Sequence, residues 1–227
     1  MKNKYLKGAH LSERKVREML KLFSEDLTAT QIAEATGISR ITINAYLKMF
    51  RHKIASWAED AVPEMLRVDK SPANVTIQPN GESSVPGSNF LFGISKVESC
   101  IFTRPLQEED KGLLADWNRG MINGHQTILQ HRRLDTIQGI IDFKTARLLK
   151  LQGNDRQASR ATYDELDNFW SMMRSRMVKF RGLNASTIYL HVKETEFRFN
   201  NRDRDLYDLL IGIMHSPKLD FRPTYFY

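Results

Sequence analysis

The stretch DELDNFWSMMRSRMVKFRG, residues 164–182, places one carboxylate, Asp167, beside an aromatic pair and four basic side chains. Arg174 follows Asp167 by seven residues, so the two share a face if this stretch is a helix. Carboxylates that serve metal chemistry act in groups, because a hard cation such as Mg²⁺ takes several oxygen ligands. Asp167 could do such chemistry only with partner carboxylates from elsewhere in the chain. The alternative is an exposed residue on an ordinary helix.

The residues around Asp167 predict a helix with one apolar face. A stripe of Trp and Met is far more often core than a binding site. Gly182 stands where this helix should end, and DLYDLLIGIMHS predicts a capped apolar helix near the end of the chain. The apolar positions of the first helix are Leu166, Trp170, Met173, Met177 and Phe180.

Residues 28–51, TATQIAEATGISRITINAYLKMFR, predict two helices joined by a tight turn. Thr28 and Ser39 can cap the two helices, and Gly37 stands where the turn needs a residue that tolerates positive φ. Upstream, SERKVREMLKLFSED predicts a supporting helix, and the three together predict a helix-turn-helix. The inward positions are Val16, Met19, Leu20 and Phe23, then Ile32 and Ala33, then Ile43, Tyr46, Leu47 and Phe50.

In a helix-turn-helix the second helix of the pair enters the major groove, and its outward N-terminal residues meet base edges. Arg can read guanine and Asn can read adenine through two hydrogen bonds, each worth about 1–3 kcal/mol of discrimination. The alternative interpretation is a helical hairpin that contacts protein. The predicted base-facing residues are Ser39, Arg40, Thr42 and Asn44, with Lys48 and Arg51 placed for phosphates.

The middle of the chain leaves the helical pattern. Residues 70–89 are rich in Pro, Gly, Ser and Asn and predict a loop, and EMLRVDKS before it has short strand character. NFLFGISK and SCIFTRPL predict two strands joined by a turn near Val97 and Glu98, with HQTILQH as a further candidate strand. QEEDKGLLADWNRG and LDTIQGIIDFKTARLLKLQ suit helices better. This order of elements predicts a mixed α/β domain.

The charge distribution favours a polyanionic partner. The chain carries a net charge of +7, with a pI near 9.5. Residues 1–60 carry 11 Lys or Arg against 7 Asp or Glu, and residues 168–204 carry 8 against 3. Two contacts with one nucleic acid would give this layout, and so would two solvated helical faces.

Composition bounds size and compartment. The 227 residues suffice for one medium domain and a small one. The single cysteine, Cys100, can form neither an intrachain disulfide nor a thiolate zinc site, which fits a reducing compartment. His125, His131 and His191 form no recognisable zinc pattern. We find no signal-peptide segment and no apolar run near the ~18 residues of a membrane span, so we expect a cytoplasmic protein.

Three segments resemble DDE-type insertion-sequence transposases, specifically the ISXO-two-like group. They are the opening KNKYLKGAHLSERKVREMLKLFSEDLTATQIAEATGISRITINAYLKMFR, then FWSMMRSRMVKFRG, then YLHVKETEFRFNNR. The resemblance covers residues 2–55 and 164–214 and is weak across 56–163. It implies a helix-turn-helix that binds double-stranded transposon ends, followed by a nuclease domain with an RNase H-like fold. Three acidic residues of that domain would hold two Mg²⁺ ions for an in-line displacement.

The resemblance assigns the outer carboxylates one at a time. Asp69 in VDKS matches the first acidic residue, although Lys70 stands where the family has a further acid. Asp167, before Phe-Trp, matches the third, where Glu or Asn is commoner. Arg174 matches the basic residue seven positions on, where the family often has Lys. The implied metal ligands are Asp69 and Asp167.

The middle carboxylate breaks the pattern. The family places it in a segment of the type H-S-D-G-W, and the matching stretch LQHRRLDTIQG puts Arg132 at that position. An arginine there would repel both ions. Asp135, three residues further on, could substitute only if the backbone rearranged. The implied catalytic set is therefore Asp69, Asp135, Asp167 and Arg174, with its middle member in doubt.

We therefore expect an α/β (α+β) chain of three parts. Residues 1–58 form a helix-turn-helix domain, 59–89 a linker with the first strand and a flexible loop, and 90–227 an RNase H-like mixed-sheet domain with C-terminal helices. The favoured function is sequence-specific DNA binding by a homodimer or larger homo-oligomer, with an inactive nuclease domain and no metal. The alternatives are an active, Mg²⁺-dependent transposase and a decaying insertion-sequence product.

Overall fold

The computed structural model describes residues 11–67, 91–106, 136–150, 159–179 and 185–215. They form a mixed α/β structure of six α-helices and a four-stranded antiparallel sheet. The chain divides into two units. The first holds described residues 11–61 and 201–215, and the second holds those between 62 and 200.

The first unit is helical. Its helices are α1 (Glu13–Ser24), α2 (Ala29–Thr36), α3 (Arg40–Asp60) and α6 (Leu206–His215). The predicted caps are confirmed, since the Thr28 hydroxyl accepts from the Gln31 backbone N–H and that of Ser39 from Thr42. Gly37 has φ +67°, as predicted.

One apolar core joins these helices. All the predicted inward positions of α1 and α3 are buried, as is Ile32 of α2, whereas Ala33 is half-buried. The rings of Phe23 and Phe50 lie 5.7 Å apart, which fastens α1 to α3. Helix α6 adds Leu210, Ile213 and Met214 to the buried set.

Helix α6 packs on α1 and α3, and Lys53 Nζ donates a hydrogen bond to the carbonyl of Met214 at 3.1 Å. The predicted boundary after residue 58 lies close to the first break between the units. The predicted grouping of this helix with the nuclease domain differs from what is observed. Its apolar face completes the core of the three N-terminal helices.

The second unit combines the sheet with two helices. Its strands are β1 (Leu91–Val97), β2 (Cys100–Pro105), β3 (Gly139–Asp142) and β4 (Arg147–Lys150), in the order β2-β1-β3-β4. Its helices are α4 (Ser159–Lys179), which contacts β4, and α5 (Ala185–Asn200), which contacts β2. A 3₁₀ helix, Glu64–Leu66, precedes them in the chain. The β1–β2 hairpin confirms the predicted pair of strands and the turn at Glu98.

Three expectations for this unit differ from the structure. Residues 139–150 form the β3–β4 hairpin and were wrongly predicted as helix. The reason is turn chemistry, because Asp142 Oδ1 accepts from the backbone N–H groups of Lys144 and Thr145 and closes the turn. Residues 64–66 are 3₁₀ helix and not strand. A mixed sheet was expected, but all strand pairs among the described residues are antiparallel.

Helix α5 completes the open edge of the sheet with its side chains. Asn200 Oδ1 accepts from the Ile101 N–H at 2.8 Å, and Asn200 Nδ2 donates to the Ile101 carbonyl at 2.7 Å. Two residues along β2, Glu196 Oε2 accepts from the Thr103 N–H at 2.8 Å, and Lys193 Nζ donates to the Thr103 carbonyl at 2.7 Å. These side chains take the hydrogen bonds that another strand would make, so β2 offers no unpaired backbone there.

Candidate nucleic-acid interface

The turn between α2 and α3 fixes one end of the candidate surface. The Thr36 hydroxyl donates to the Ile32 carbonyl at 2.7 Å, and Lys15 Nζ of α1 donates to the Thr36 carbonyl at 2.9 Å. The ammonium thus satisfies a carbonyl at the C-terminus of α2, where the helix dipole favours positive charge. Gly37 then reverses the chain without strain. These contacts fix the C-terminal end of α2, from which the chain turns into α3.

The outward face of α3 carries the candidate residues in a row. Arg40, Asn44 and Lys48 follow each other at intervals of four residues, and all three are exposed. Residues four apart on a helix lie one above another, so these side chains form a single line. Ile43 and Leu47, which border this row on the side that faces α1 and α2, are fully buried. The burial pattern therefore fixes which side of α3 faces outward.

Two of the predicted base-facing residues also cap the helix. Ser39 Oγ lies 2.9 Å from Thr42 Oγ1 and accepts from the Thr42 backbone N–H at 3.2 Å. Thr42 is half-buried, whereas Ser39 is exposed. Within the described residues, the side chains of Arg40 and Asn44 have neither hydrogen-bond nor ion-pair partners. Arg40 and Asn44 are therefore the polar groups most available to a ligand on this face.

Arg51 does not fit the phosphate contact predicted for it. Its relative exposure is 8%, and its guanidinium lies 5.6 Å from the centre of the Phe23 ring. A cation over an aromatic face gains from the ring quadrupole, so this side chain is used internally. Helical spacing puts Arg51 one turn beyond Lys48, but it does not report that Phe23 of α1 packs at this position. We leave it out of the proposed surface.

The electrostatics of α3 favour an anionic ligand at its N-terminal half. The first turn contains no acidic residue. Burial, with a smaller contribution from the positive charge of Lys48, lowers the pKa of His52 from 6.5 to about 4. His52 is therefore neutral at pH 7 and adds no charge to this helix. The positive charge on the outward row comes from Arg40 and Lys48.

The residues implied for a nuclease site are only partly described. Asp69 and Asp135 lie outside the described residues, as do Lys70 and Arg132. Asp167 is on α4, where its side chain is 53% exposed and pairs with the ammonium of Lys150. Arg174 is exposed two turns further along the same helix, as its spacing predicts.

The described residues do not fit a metal site at Asp167. No group of three His, Cys, Asp or Glu among them could hold a metal ion. The Lys150 ammonium donates to Oδ2 of Asp167, and a divalent cation at the same carboxylate would be repelled by that charge. We therefore derive no catalytic step through Mg²⁺ from this part of the chain.

Sequence reasoning missed two surface features of the first unit. Ile41, between Arg40 and Thr42, is 84% exposed, and its place one residue from Arg40 could have marked it. The second is an open groove of about 560 Å³ whose lining combines apolar and charged side chains. It is lined by Trp57, Arg204, Asp205, Asp208, Leu209, Gly212 and Ile213.

Comparison of the chain with protein-family models, with curated proteins and with solved structures finds no match. None of the helices in the described ranges has the length and apolar character needed to cross a membrane. The surface of α3 and the sequence resemblance are therefore the features of this chain that point to a function.

Proposed function

We propose that the chain is a transposase-like protein that binds double-stranded DNA in a sequence-specific way. In this proposal α2 and α3 are the two helices of a helix-turn-helix, and α3 lies in the major groove. The observation that carries the proposal is the exposed row of Arg40, Asn44 and Lys48 along α3, on a helix whose apolar positions are buried in the core of the first unit. A turn with φ +67° at Gly37 sets the row beside α2.

Each residue of the row has a distinct task. Arg40 can donate two hydrogen bonds to O6 and N7 of guanine, and Asn44 can pair with N6 and N7 of adenine. Lys48 is one further turn from the base-reading end, where its ammonium can neutralise a phosphate. Ser39, at the helix N-terminus, can donate its hydroxyl to a neighbouring phosphate while its lone pairs cap α3. A homodimer would repeat these contacts on a second half-site.

For the second unit we propose a nuclease-derived, RNase H-like scaffold that no longer cleaves DNA. The resemblance supplies the lineage, and Arg132 at the middle carboxylate position argues against catalysis. The pairing of Asp167 with Lys150 points the same way, because it sets a cation where a metal ligand is needed. The alternative remains an active transposase in which Asp135 replaces the missing carboxylate and Mg²⁺ is bound.

The test begins with selection of DNA sequences by the full chain from a random duplex library. The affinities of the wild type, Arg40→Ala and Asn44→Ala are then measured for the selected site and for unrelated DNA. We expect each variant to lose about 5- to 100-fold on the selected site, as for a lost bidentate base contact, and much less on unrelated DNA. Arg147→Ala, which removes an exposed arginine from the β3–β4 hairpin, is the matched control.

Lys48→Ala tests the phosphate contact separately. We expect it to weaken binding to all sequences to a similar degree and to reduce the slope of log K against log salt by about 1. Lys144→Ala, an exposed lysine of the second unit, should leave the slope unchanged. Failure of the library to enrich any sequence would refute specific binding. Equal losses of Arg40→Ala on all sequences would limit that residue to the backbone.

A further inference from the structure

Ile41 is the most exposed large apolar side chain in the described part of the chain. Its relative exposure is 84%, compared with 71% for Val178 and 70% for Met65. Single exposed apolar residues are common on protein surfaces and need no partner. The position of Ile41 is what distinguishes it, because it lies in the first turn of α3 among the residues proposed to meet base edges.

The helix geometry places Ile41 beside the polar row. It follows Arg40 directly and precedes Asn44 by three residues, a spacing at which helical side chains are neighbours. One turn further on, the exposed residue is Ala45, whose single methyl group leaves space next to Ile41. If Arg40 and Asn44 reach the floor of a groove, Ile41 reaches the same floor one step around the helix.

The major groove offers one apolar group to such a side chain. Adenine, guanine and cytosine present donors and acceptors there, whereas thymine adds a C5-methyl group. We infer that Ile41 contacts a thymine methyl group and is a specificity-determining residue of the DNA site. This inference rests on the proposed function. It adds a thymine to the guanine and adenine that Arg40 and Asn44 are proposed to read.

The charge around Ile41 favours DNA over a protein surface as the occupant. The first turn of α3 contains no acidic residue, and the exposed positions around Ile41 include Arg40 and Lys48. A protein partner covering this isoleucine would have to bring carboxylates to both cations at matching positions. Phosphates flank every base of a duplex, so DNA supplies the apolar contact and the neutralising charge together.

The experiment replaces each thymine of the selected duplex in turn by deoxyuridine, which lacks only the C5-methyl group. Dissociation constants are measured by fluorescence anisotropy for the wild type, Ile41→Ala and Val178→Ala. At one thymine we expect the wild type to lose about fourfold, the effect of one methyl group no longer buried. Ile41→Ala should bind the unmodified site at least about fourfold more weakly and be indifferent to that replacement. Val178→Ala, the matched exposed apolar control, should behave as the wild type.

Four results would overturn the inference. A wild type that tolerates deoxyuridine at every thymine, or a selected site without thymine, removes Ile41 as a reader but leaves the proposed DNA binding in place. An Ile41→Ala protein that still loses affinity on the replacement assigns the methyl contact to another residue. A library that enriches no sequence refutes the proposed function and this inference together. Because Ile41 is exposed, its replacement should leave the melting temperature unchanged, which circular dichroism checks.

Discussion

The carboxylate of Asp167 on α4 accepts a hydrogen bond from the ammonium of Lys150 at the end of β4. The two side chains are 53% and 35% exposed, so water screens the pair and its contribution to stability is small. The ion pair matters more for whether Asp167 can bind a metal ion. A metal ion at Asp167 would compete with the Lys150 ammonium for the carboxylate, and no set of three potential ligands lies in the described residues to hold it.

We expect the protein to leave its selected DNA intact in the presence of Mg²⁺ or Mn²⁺. Two-metal cleavage needs ligands for both ions, and under the proposed lineage the resemblance puts Arg132 where the family has its middle carboxylate. The measurement is a gel assay of strand cleavage and joining with labelled duplexes, run in parallel with Asp167→Ala. Binding should be the same for both proteins. Cleavage by the wild type that Asp167→Ala abolishes would establish the alternative, an active transposase.

Gly37→Ala should destabilise the first unit by about 1–2 kcal/mol, the cost of the left-handed conformation for a residue with a Cβ atom. Its φ is +67°, and no atom lies within 4 Å of the added Cβ, so the cost is conformational and not steric. Chemical denaturation measures the loss. Gly212→Ala on α6 is the matched control, because its Cβ also meets nothing within 4 Å, without a positive φ.

The two glycine substitutions should have opposite signs. Gly212 lies inside a helix, where alanine is favoured over glycine by about 1 kcal/mol. If Gly37→Ala left the free energy of unfolding unchanged, the turn would not need the left-handed conformation. The proposed orientation of α3 would then lose the constraint that sets it beside α2.

The features of the fold that the sequence predicted correctly depend on residues close together in the chain. The caps at Thr28 and Ser39 and the turn at Gly37 depend on neighbours within a few residues, and the apolar repeats marked the faces of α1 and α3 correctly. On α4, periodicity found Leu166 and Met173 but missed the buried Phe169, which packs edge-on against Phe199 at 5.4 Å.

The wrong predictions have two physical causes. One depends on turn chemistry, and the others depend on residues distant in sequence. The β3–β4 hairpin contains apolar residues at spacings that also suit a helix, and the Asp142 turn decides between the two. Helix α6 joins the first unit because of the face that α1 and α3 leave open, which local pattern does not report. Arg51 is removed from the DNA-facing candidates by Phe23, 28 residues earlier in the chain.

Asn200→Ala should destabilise the second unit by about 1–3 kcal/mol, because the side chain bonds both backbone groups of Ile101 on the edge strand. Thermal or chemical denaturation measures the loss. Asn168→Ala on α4 is the control, since Asn168 is exposed and should be neutral. Hydrogen exchange adds a local readout. The Ile101 amide should exchange faster in Asn200→Ala, and unchanged protection would contradict the proposed cover of the edge.

Because the pKa of His52 is lowered, we expect the free energy of unfolding to fall on acidification. Its folded pKa of about 4 lies below the ordinary value of 6.5, mainly because the ring is buried. Between these two values the unfolded chain binds a proton that the folded protein excludes, so the stabilisation is complete above pH 6.5 and is lost as the pH falls towards 4. The loss should amount to about 3 kcal/mol, measured by denaturation between pH 7.5 and 4.5.

The carboxyl group of Glu196 changes the stability with pH in the direction opposite to His52, so the experiment must separate the two effects. Burial raises the pKa of Glu196 above its ordinary value of 4.5, against the effect of Lys193, so its contribution falls as the pH rises through the folded pKa. His52→Gln removes only the first effect. The difference in unfolding free energy between wild type and His52→Gln should therefore change with pH between 4 and 6.5. Above pH 6.5 it should be constant. A constant difference over the whole range would mean that the folded protein accepts the proton on His52.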